Sequence, residues 1–256
     1  MSNTTRIERE KQFHDDRYSD DRREEQVGKF YSITGSITRA YKEKILAHSD
    51  RAKVIEYGCG TGSYSSTIAQ ADAELVTGID ISPVAIELAR EKAAQQNLGD
   101  KIEFKIMNAE NLEFAESSYD LICGSGILHH LDLNLATESI VRTLKPDGKA
   151  IFIEPLGHNL LINLYRRLTP DIRSQDEHPL LSQDLKAIAS HFTHCKIRYF
   201  YLASLAASFI AQKPGFKMLL GFCQSLDAIL LKLPGIKQQA WMVLIELEQP
   251  IEQKDI

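Results

Sequence analysis

Glu56-Tyr57-Gly58-Cys59-Gly60-Thr61-Gly62 puts glycine at every second position, directly after the apolar run Val54-Ile55. Glycine tolerates positive φ and lets a ligand approach the backbone. A helix starting just beyond points free N–H groups at the loop, which suits polar ligand groups. Strand, glycine loop and helix together predict a nucleotide-type site at the carboxyl end of a parallel sheet. The next strand ends in Ile79-Asp80-Ile81, where an acid can take both hydroxyls of a ribose. Two common nucleotide patterns do not fit. Gly-x-Gly-x-x-Gly fails because residue 63 is Ser, and the Gly-Lys-Ser/Thr of a P-loop is absent. Glu56, the acid ahead of the glycines, belongs to neither.

Proton-transfer groups lie farther along. Gly126-Ile127-Leu128-His129-His130-Leu131 follows one strand, and Glu154-Pro155 ends the next. Histidine titrates near neutrality and suits acceptance of a hydroxyl or phenol proton. His129 is therefore a candidate catalytic base, with a structural loop residue as the alternative. Glu154 is a candidate to orient an acceptor or act as base, against a strand-end acid bonded to backbone. The stretch Tyr165-Arg166-Arg167-Leu168-Thr169-Pro170-Asp171-Ile172-Arg173, then Asp176-Glu177-His178-Pro179, mixes cations and anions. Arg166 and His178, with His130, are candidates to bind an anionic acceptor; an ion-pair network ordering a lid competes with that reading. Cys59, Cys123, Cys195 and Cys223 show no Cys-x-x-Cys spacing. With no other ligand spacing evident, no metal is expected.

These groups need a frame to position them. Strand-like runs at 52–57, 75–79, 102–107, 119–123 and 150–153 alternate with helical segments at 63–71, 82–96 and 136–144. Ser82 caps the second helix, with Pro83 in its first turn. The alternation predicts a doubly wound α/β domain, a mostly parallel sheet flanked by helices, over residues 50–155. Residues 1–49 read as a polar arm, mobile or an exposed helix through residue 28, and then an amphipathic cap helix from Lys29 to Ala47. Residues 156–180 read as a partly helical insert on the substrate side. Residues 181–256 add a helix at 181–192, a strand at 196–202 and a closing strand at 240–247. Between these strands, 204–233 reads as two apolar helices broken near Pro214-Gly215. That pair reads as core or a homodimer interface, with a greasy substrate pocket or contact with a membrane surface as alternatives.

Taken in order, Glu56 to Gly62, Gly78-Ile79-Asp80-Ile81-Ser82, Asn108-Ala109-Glu110 and Tyr119 to Leu131 resemble the motifs of class I S-adenosylmethionine-dependent methyltransferases. The chain is most similar to their ubiquinone/menaquinone-biosynthesis-like small-molecule group. The resemblance is close over 50–155 and looser as far as the strand near Trp241, which it makes the family's antiparallel seventh strand. It implies a Rossmann-like sheet of seven strands with a helical cap, and S-adenosylmethionine as the methyl donor. It further implies that Glu56 binds the donor's amino group, while Gly58, Gly60 and Gly62 let the backbone pass close to its methionine and ribose. Asp80 would hold the ribose hydroxyls, Ile81 would pack on the adenine, Asn108 and Ala109 would address its edge, and Ser125 would face the methionine end. The family often has Asp where this chain has Asn108, but the amide carbonyl still offers an acceptor. Methyl transfer from a sulfonium is an in-line displacement, to which orientation alone can contribute on the order of 7–11 kcal/mol. The implied reaction is transfer to O, N or C of a small organic molecule, a secondary-metabolite or isoprenoid-type acceptor. Another sulfonium-nucleoside group transfer, or a non-catalytic S-adenosylmethionine-binding module, is the alternative.

Composition narrows the partners. Lys+Arg 30 against Asp+Glu 35 gives a net charge of -5, without the basic footprint of a nucleic-acid binder. The longest apolar stretch, Phe216 to Pro234, is interrupted by Lys217, Asp227 and Lys232, which argues against a membrane span. The N-terminus is charged from Arg6 to Glu25 and does not read as a signal peptide. The cysteine usage suits a reducing cytoplasm. The expected partners are a small-molecule acceptor, with no nucleic acid and no integral membrane association.

Overall fold

Near-continuous apolar runs suit strands that are buried on both faces, and such runs form the centre of the molecule. The computed structural model describes residues 3–19, 30–170 and 173–251. Residues 20–29 of the arm and Asp171-Ile172 of the insert lie outside the described residues. The strands are β1 (Lys53–Tyr57), β2 (Leu75–Asp80), β3 (Ile102–Ile106), β4 (Tyr119–Ser125), β5 (Leu144–Pro155), β6 (Phe192–Phe200) and β7 (Met242–Pro250). They form one seven-stranded sheet in the order β3-β2-β1-β4-β5-β7-β6. Strands β1 to β5 pair in parallel, and β7 inserts antiparallel between β5 and β6. This is the doubly wound, mostly parallel seven-stranded sheet expected, with the antiparallel strand beginning just after Trp241.

The helices are α1 (Asn3–Ser19), α2 (Gly35–Ala47), α3 (Ser65–Gln70), α4 (Pro83–Gln95), α5 (Leu133–Thr143), α6 (Leu160–Leu168), α7 (Ser182–Ala189) and α8 (Phe216–Leu230). The helices α2, α3 and α4 pack on one face of the sheet and α5 and α7 on the other. Helix α2 buries Ile37, Tyr41 and Ile45. Phe30-Tyr31 are also helical, a turn at 32–34 separates them from α2, and Tyr201, just past β6, accepts the Ile37 N–H in the first turn of α2 at 2.8 Å. Helix α4 begins as expected, with Ser82 Oγ accepting the Ala85 N–H at 3.1 Å. Helix α5 starts before Ala136 because Asp132 accepts the N–H groups of Asn134 and Leu135 at 3.0 and 3.3 Å.

The acid inside the apolar stretch also has a structural reason. Asp227 of α8 is buried and accepts the N–H groups of Leu202, Ala203 and Ser204 and the Ser204 hydroxyl. That anchor winds Ala203–Ile210 as a 3-10 helix where an α-helix was expected. The charged arm departs further from expectation. Its described part is helix α1, which packs on α4 and lies over the carboxyl ends of the strands instead of standing free.

Candidate active site

The carboxyl ends of β1, β2 and β4 open into a cavity of about 970 Å³, near the upper end for ligand pockets. Strand β1 enters it through the glycine loop, where Gly58 and Gly60 have φ of +66° and +52°. A Cβ on Gly58 would lie 2.7 Å from Ile127, and one on Gly60 2.5 Å from the Tyr18 hydroxyl of α1. Both conformation and space therefore require glycine. Glu56, at the end of β1, is buried and accepts the N–H groups of Tyr64 and Ser65 at 3.0 and 2.7 Å, and the Ser65 hydroxyl. Burial pushes its carboxyl up to about 7, against the pull of those donors. A cation brought beside it would favour the carboxylate.

Asp80, at the end of β2, accepts the Gly60 N–H at 2.8 Å with one oxygen and the Ser82 N–H at 2.9 Å with the other. A carboxylate has about four acceptor sites, so capacity remains for a diol. Ile81, Asn108, Ala109 and Ser125 line the same cavity. The Asn108 carbonyl oxygen accepts the Glu110 N–H at 3.0 Å and so also holds its own turn. Gly62 does not line the cavity; a Cβ there would lie 3.1 Å from Phe104.

The loop after β4 turns through a 3-10 helix, Leu128–His130. Glu154, fully buried at the end of β5, accepts the N–H groups of Ile127 and Leu128 at 2.9 Å each with Oε1. Its Oε2 lies 2.8 Å from His129 Nδ1. His129 lines the cavity and Glu154 does not. With Nδ1 against the carboxylate, Nε2 is the ring nitrogen left for another partner. His130 also lines the cavity, and burial pulls its imidazole below the usual range, partly offset by Glu10 at 3.0 Å. Arg166 and Arg173 reach the cavity from the insert and share Glu177 at 3.5 and 3.2 Å. Burial brings the Arg166 guanidinium down to about 10. The structure does not bring the His178 side chain to the cavity. It is exposed, and its backbone N–H donates to the His129 carbonyl at 2.8 Å.

Helix α1 supplies a wall that sequence reasoning missed. Arg6, Glu10, Phe13, His14 and Tyr18 all line the cavity. Arg6 donates to the His130 carbonyl at 2.8 Å and pairs with Glu110. Arg9 makes a bidentate pair with Asp176 at 2.8 and 2.7 Å. Burial favours the neutral acid at Glu10, yet contacts with His130, His14 and Ser174 hold its carboxyl well below the usual range. Burial, reinforced by the Asp80 carboxylate, pushes the Tyr18 phenol up to about 12. Glu10, His14 and His130 bring ligand-type atoms within 4.8 Å of one another, a grouping that no local spacing reveals. A signal did exist: Arg6, Glu10, His14 and Tyr18 recur at every fourth residue, which aligns them on one helix face.

A family model described as a methyltransferase domain matches residues 54–148, from β1 into β5. Over these residues the chain is similar to S-adenosylmethionine-dependent methyltransferases. The demethylmenaquinone methyltransferase of Lactiplantibacillus plantarum is 32% identical over 123 residues, covering 45% of this chain and 52% of that protein. The match thus spans about half the length of the curated relatives, which are 52% and 51% covered. Among solved structures, geranyl diphosphate C-methyltransferase from Streptomyces coelicolor A3(2), with Mg2+, geranyl diphosphate and S-adenosyl-L-homocysteine, has a TM-score of 0.61 at 12% identity. The likeness covers 83% of this chain and 79% of that one. The [4+2]-cyclase SpnF has a TM-score of 0.56 at 15% identity, covering 82% and 81%. Both likenesses concern the fold. Among the described residues, no helix is long and apolar enough to cross a membrane.

Proposed function

We propose that the protein transfers the methyl group of S-adenosylmethionine to an O, N or C atom of a small organic molecule, of secondary-metabolite or isoprenoid type. The observation that carries this reading is one cavity running from Gly58, Gly60 and Asp80 to His129 and Arg166. The donor, when bound, supplies a methyl group already activated by a sulfonium. Glu56 binds its ammonium, Asp80 its ribose hydroxyls, and Ile81, Asn108 and Ala109 its adenine, with Ser125 toward the methionine end. His129 accepts the acceptor's proton through Nε2, a contribution of about 10²–10⁴-fold where a proton must leave. Glu154 acts through His129 as a positioning residue. Arg166 and His130 hold the polar end of the acceptor, while α1 and the insert exclude water. A cavity walled by α1 and the insert favours a small acceptor over nucleic acid. The free thiols of Cys59, Cys123, Cys195 and Cys223 support a cytoplasmic setting.

The test uses methyl-labelled S-adenosylmethionine with a metabolite extract and mass spectrometry of the products. The expected result is label in a small molecule, lost with His129→Ala. A donor that binds intact while no label reaches any acceptor would instead favour a binding module or another group transfer.

A further inference from the structure

We propose that α6 and α8 dock the protein peripherally on an anionic lipid surface, from which a lipophilic acceptor enters the cavity. The docking stands on its own observations, and the entry of an acceptor rests on the methyl-transfer reading above. On α8, Met218, Phe222, Leu226 and Ile229 are exposed, and Leu233 continues the line just beyond. Spacings of three and four residues make them one helical stripe. Met218 is 80% exposed, whereas Cys223 and Asp227 on the other side are buried. The stripe is therefore additional to the face that packs into the protein.

Helix α6 repeats the arrangement. Leu160, Leu164 and Leu168 are exposed at intervals of four residues, while Ile162, Tyr165 and Arg166 of the same helix line the cavity. Phe30 links α6 to the segment that supports α8: its ring centroid lies 4.9 Å from Tyr165 of α6 and 6.4 Å from the exposed Phe209 of the 3-10 helix, which packs against α8. Phe30 also lines the cavity. The apolar surface thus borders the acceptor end of the site.

Charge identifies the occupant. Between Tyr201 and Ala240 the charged residues are Lys213, Lys217, Lys232, Lys237 and Asp227. Asp227 is buried and spent on backbone N–H groups, while Lys213, Lys217 and Lys232 are exposed. A chain of net charge -5 therefore rims this apolar stripe with cations. An apolar helix face beside lysines fits the boundary between anionic headgroups and acyl chains. A two-fold dimer would bring a second set of the same lysines to one interface.

The full chain is to be sedimented with phosphatidylcholine vesicles, with and without about a quarter phosphatidylglycerol. The expected result is binding at least about tenfold tighter to the anionic vesicles, weakened by high salt. Met218→Ser/Phe222→Ser and, separately, Lys213→Glu/Lys217→Glu/Lys232→Glu should each reduce vesicle binding by more than about tenfold. S-adenosylhomocysteine affinity should stay unchanged in both, showing an intact fold and donor site. Absence of binding that depends on phosphatidylglycerol overturns the proposal. So does concentration-dependent dimerisation lost in Met218→Ser/Phe222→Ser without vesicle binding, which assigns the stripe to a second copy. Vesicle binding needs no turnover, so it fails or succeeds separately from the methyl-transfer reading.

Discussion

The proposed pairing of Glu56 with the donor's ammonium makes donor binding a proton-linked event. Burial carries its carboxyl from an ordinary 4.5 to about 7, which corresponds to about 3 kcal/mol in favour of the neutral form. The sign follows from proton counting. Between 4.5 and about 7 the folded protein holds the proton more tightly than the unfolded chain, so this group's stabilising contribution is complete below 4.5 and lost as pH rises toward 7. A bound ammonium reverses the preference and favours the carboxylate. Below pH of about 7, binding must therefore expel a proton, and affinity should fall by up to about tenfold per pH unit on acidification. The assay is calorimetric titration with S-adenosylhomocysteine near pH 6, in two buffers of different ionisation enthalpy. Proton release is expected in the wild type and none in Glu56→Gln. That variant should also lose about ten- to hundredfold in affinity, the range of a hydrogen bond to a charged group. Affinity that stays flat from pH of about 5.5 to 7.5, without proton release, would remove Glu56 as the ammonium's partner.

Three further substitutions probe the loop and the proton relay. His129→Ala is expected to lower turnover of the identified acceptor by about 10²-fold or more while leaving the donor Kd unchanged. Glu154→Gln should produce a smaller loss in kcat at similar KM, since the carboxylate acts only through the imidazole. Gly60→Ala combines a φ of +52° with a Cβ 2.5 Å from the Tyr18 hydroxyl. It should lower thermal stability by more than about 1 kcal/mol and accelerate hydrogen exchange in α1; unchanged exchange there would mean that α1 does not rest on the loop.

The central sheet and the glycine loop were legible because their signals are local. A strand, three alternating glycines and a strand-end acid occupy short continuous stretches, and Ser82-Pro83 marks a helix start by itself. The part of the lid formed by α1 was not legible. Charged residues on α1 resemble a solvated face until the fold supplies partners far along the chain, as in Arg6–Glu110, Arg9–Asp176 and Glu10–His130. Long-range polar contacts likewise displaced the element boundaries. A turn at 32–34 interrupts the cap helix ahead of α2, whose first turn Tyr201 bonds, and Asp227 winds 203–210 as a 3-10 helix. The Asp132 cap of α5, by contrast, could be read locally. His129 and Glu154 were each candidates, but only the parallel pairing of β4 and β5 brings them to 2.8 Å. That juxtaposition joins two separate candidates into the hydrogen-bonded pair on which the proposed base and its support rest.

S-adenosylhomocysteine affinity, compared with NAD affinity, in the wild type and in Asp80→Ala tests most directly whether this cavity binds the methyl donor. The expected result is tight binding of S-adenosylhomocysteine, far weaker binding of NAD, and a loss of about ten- to hundredfold or more in Asp80→Ala, as for other charged hydrogen-bond partners. Tighter binding of NAD, or near-normal affinity in Asp80→Ala, would contradict it.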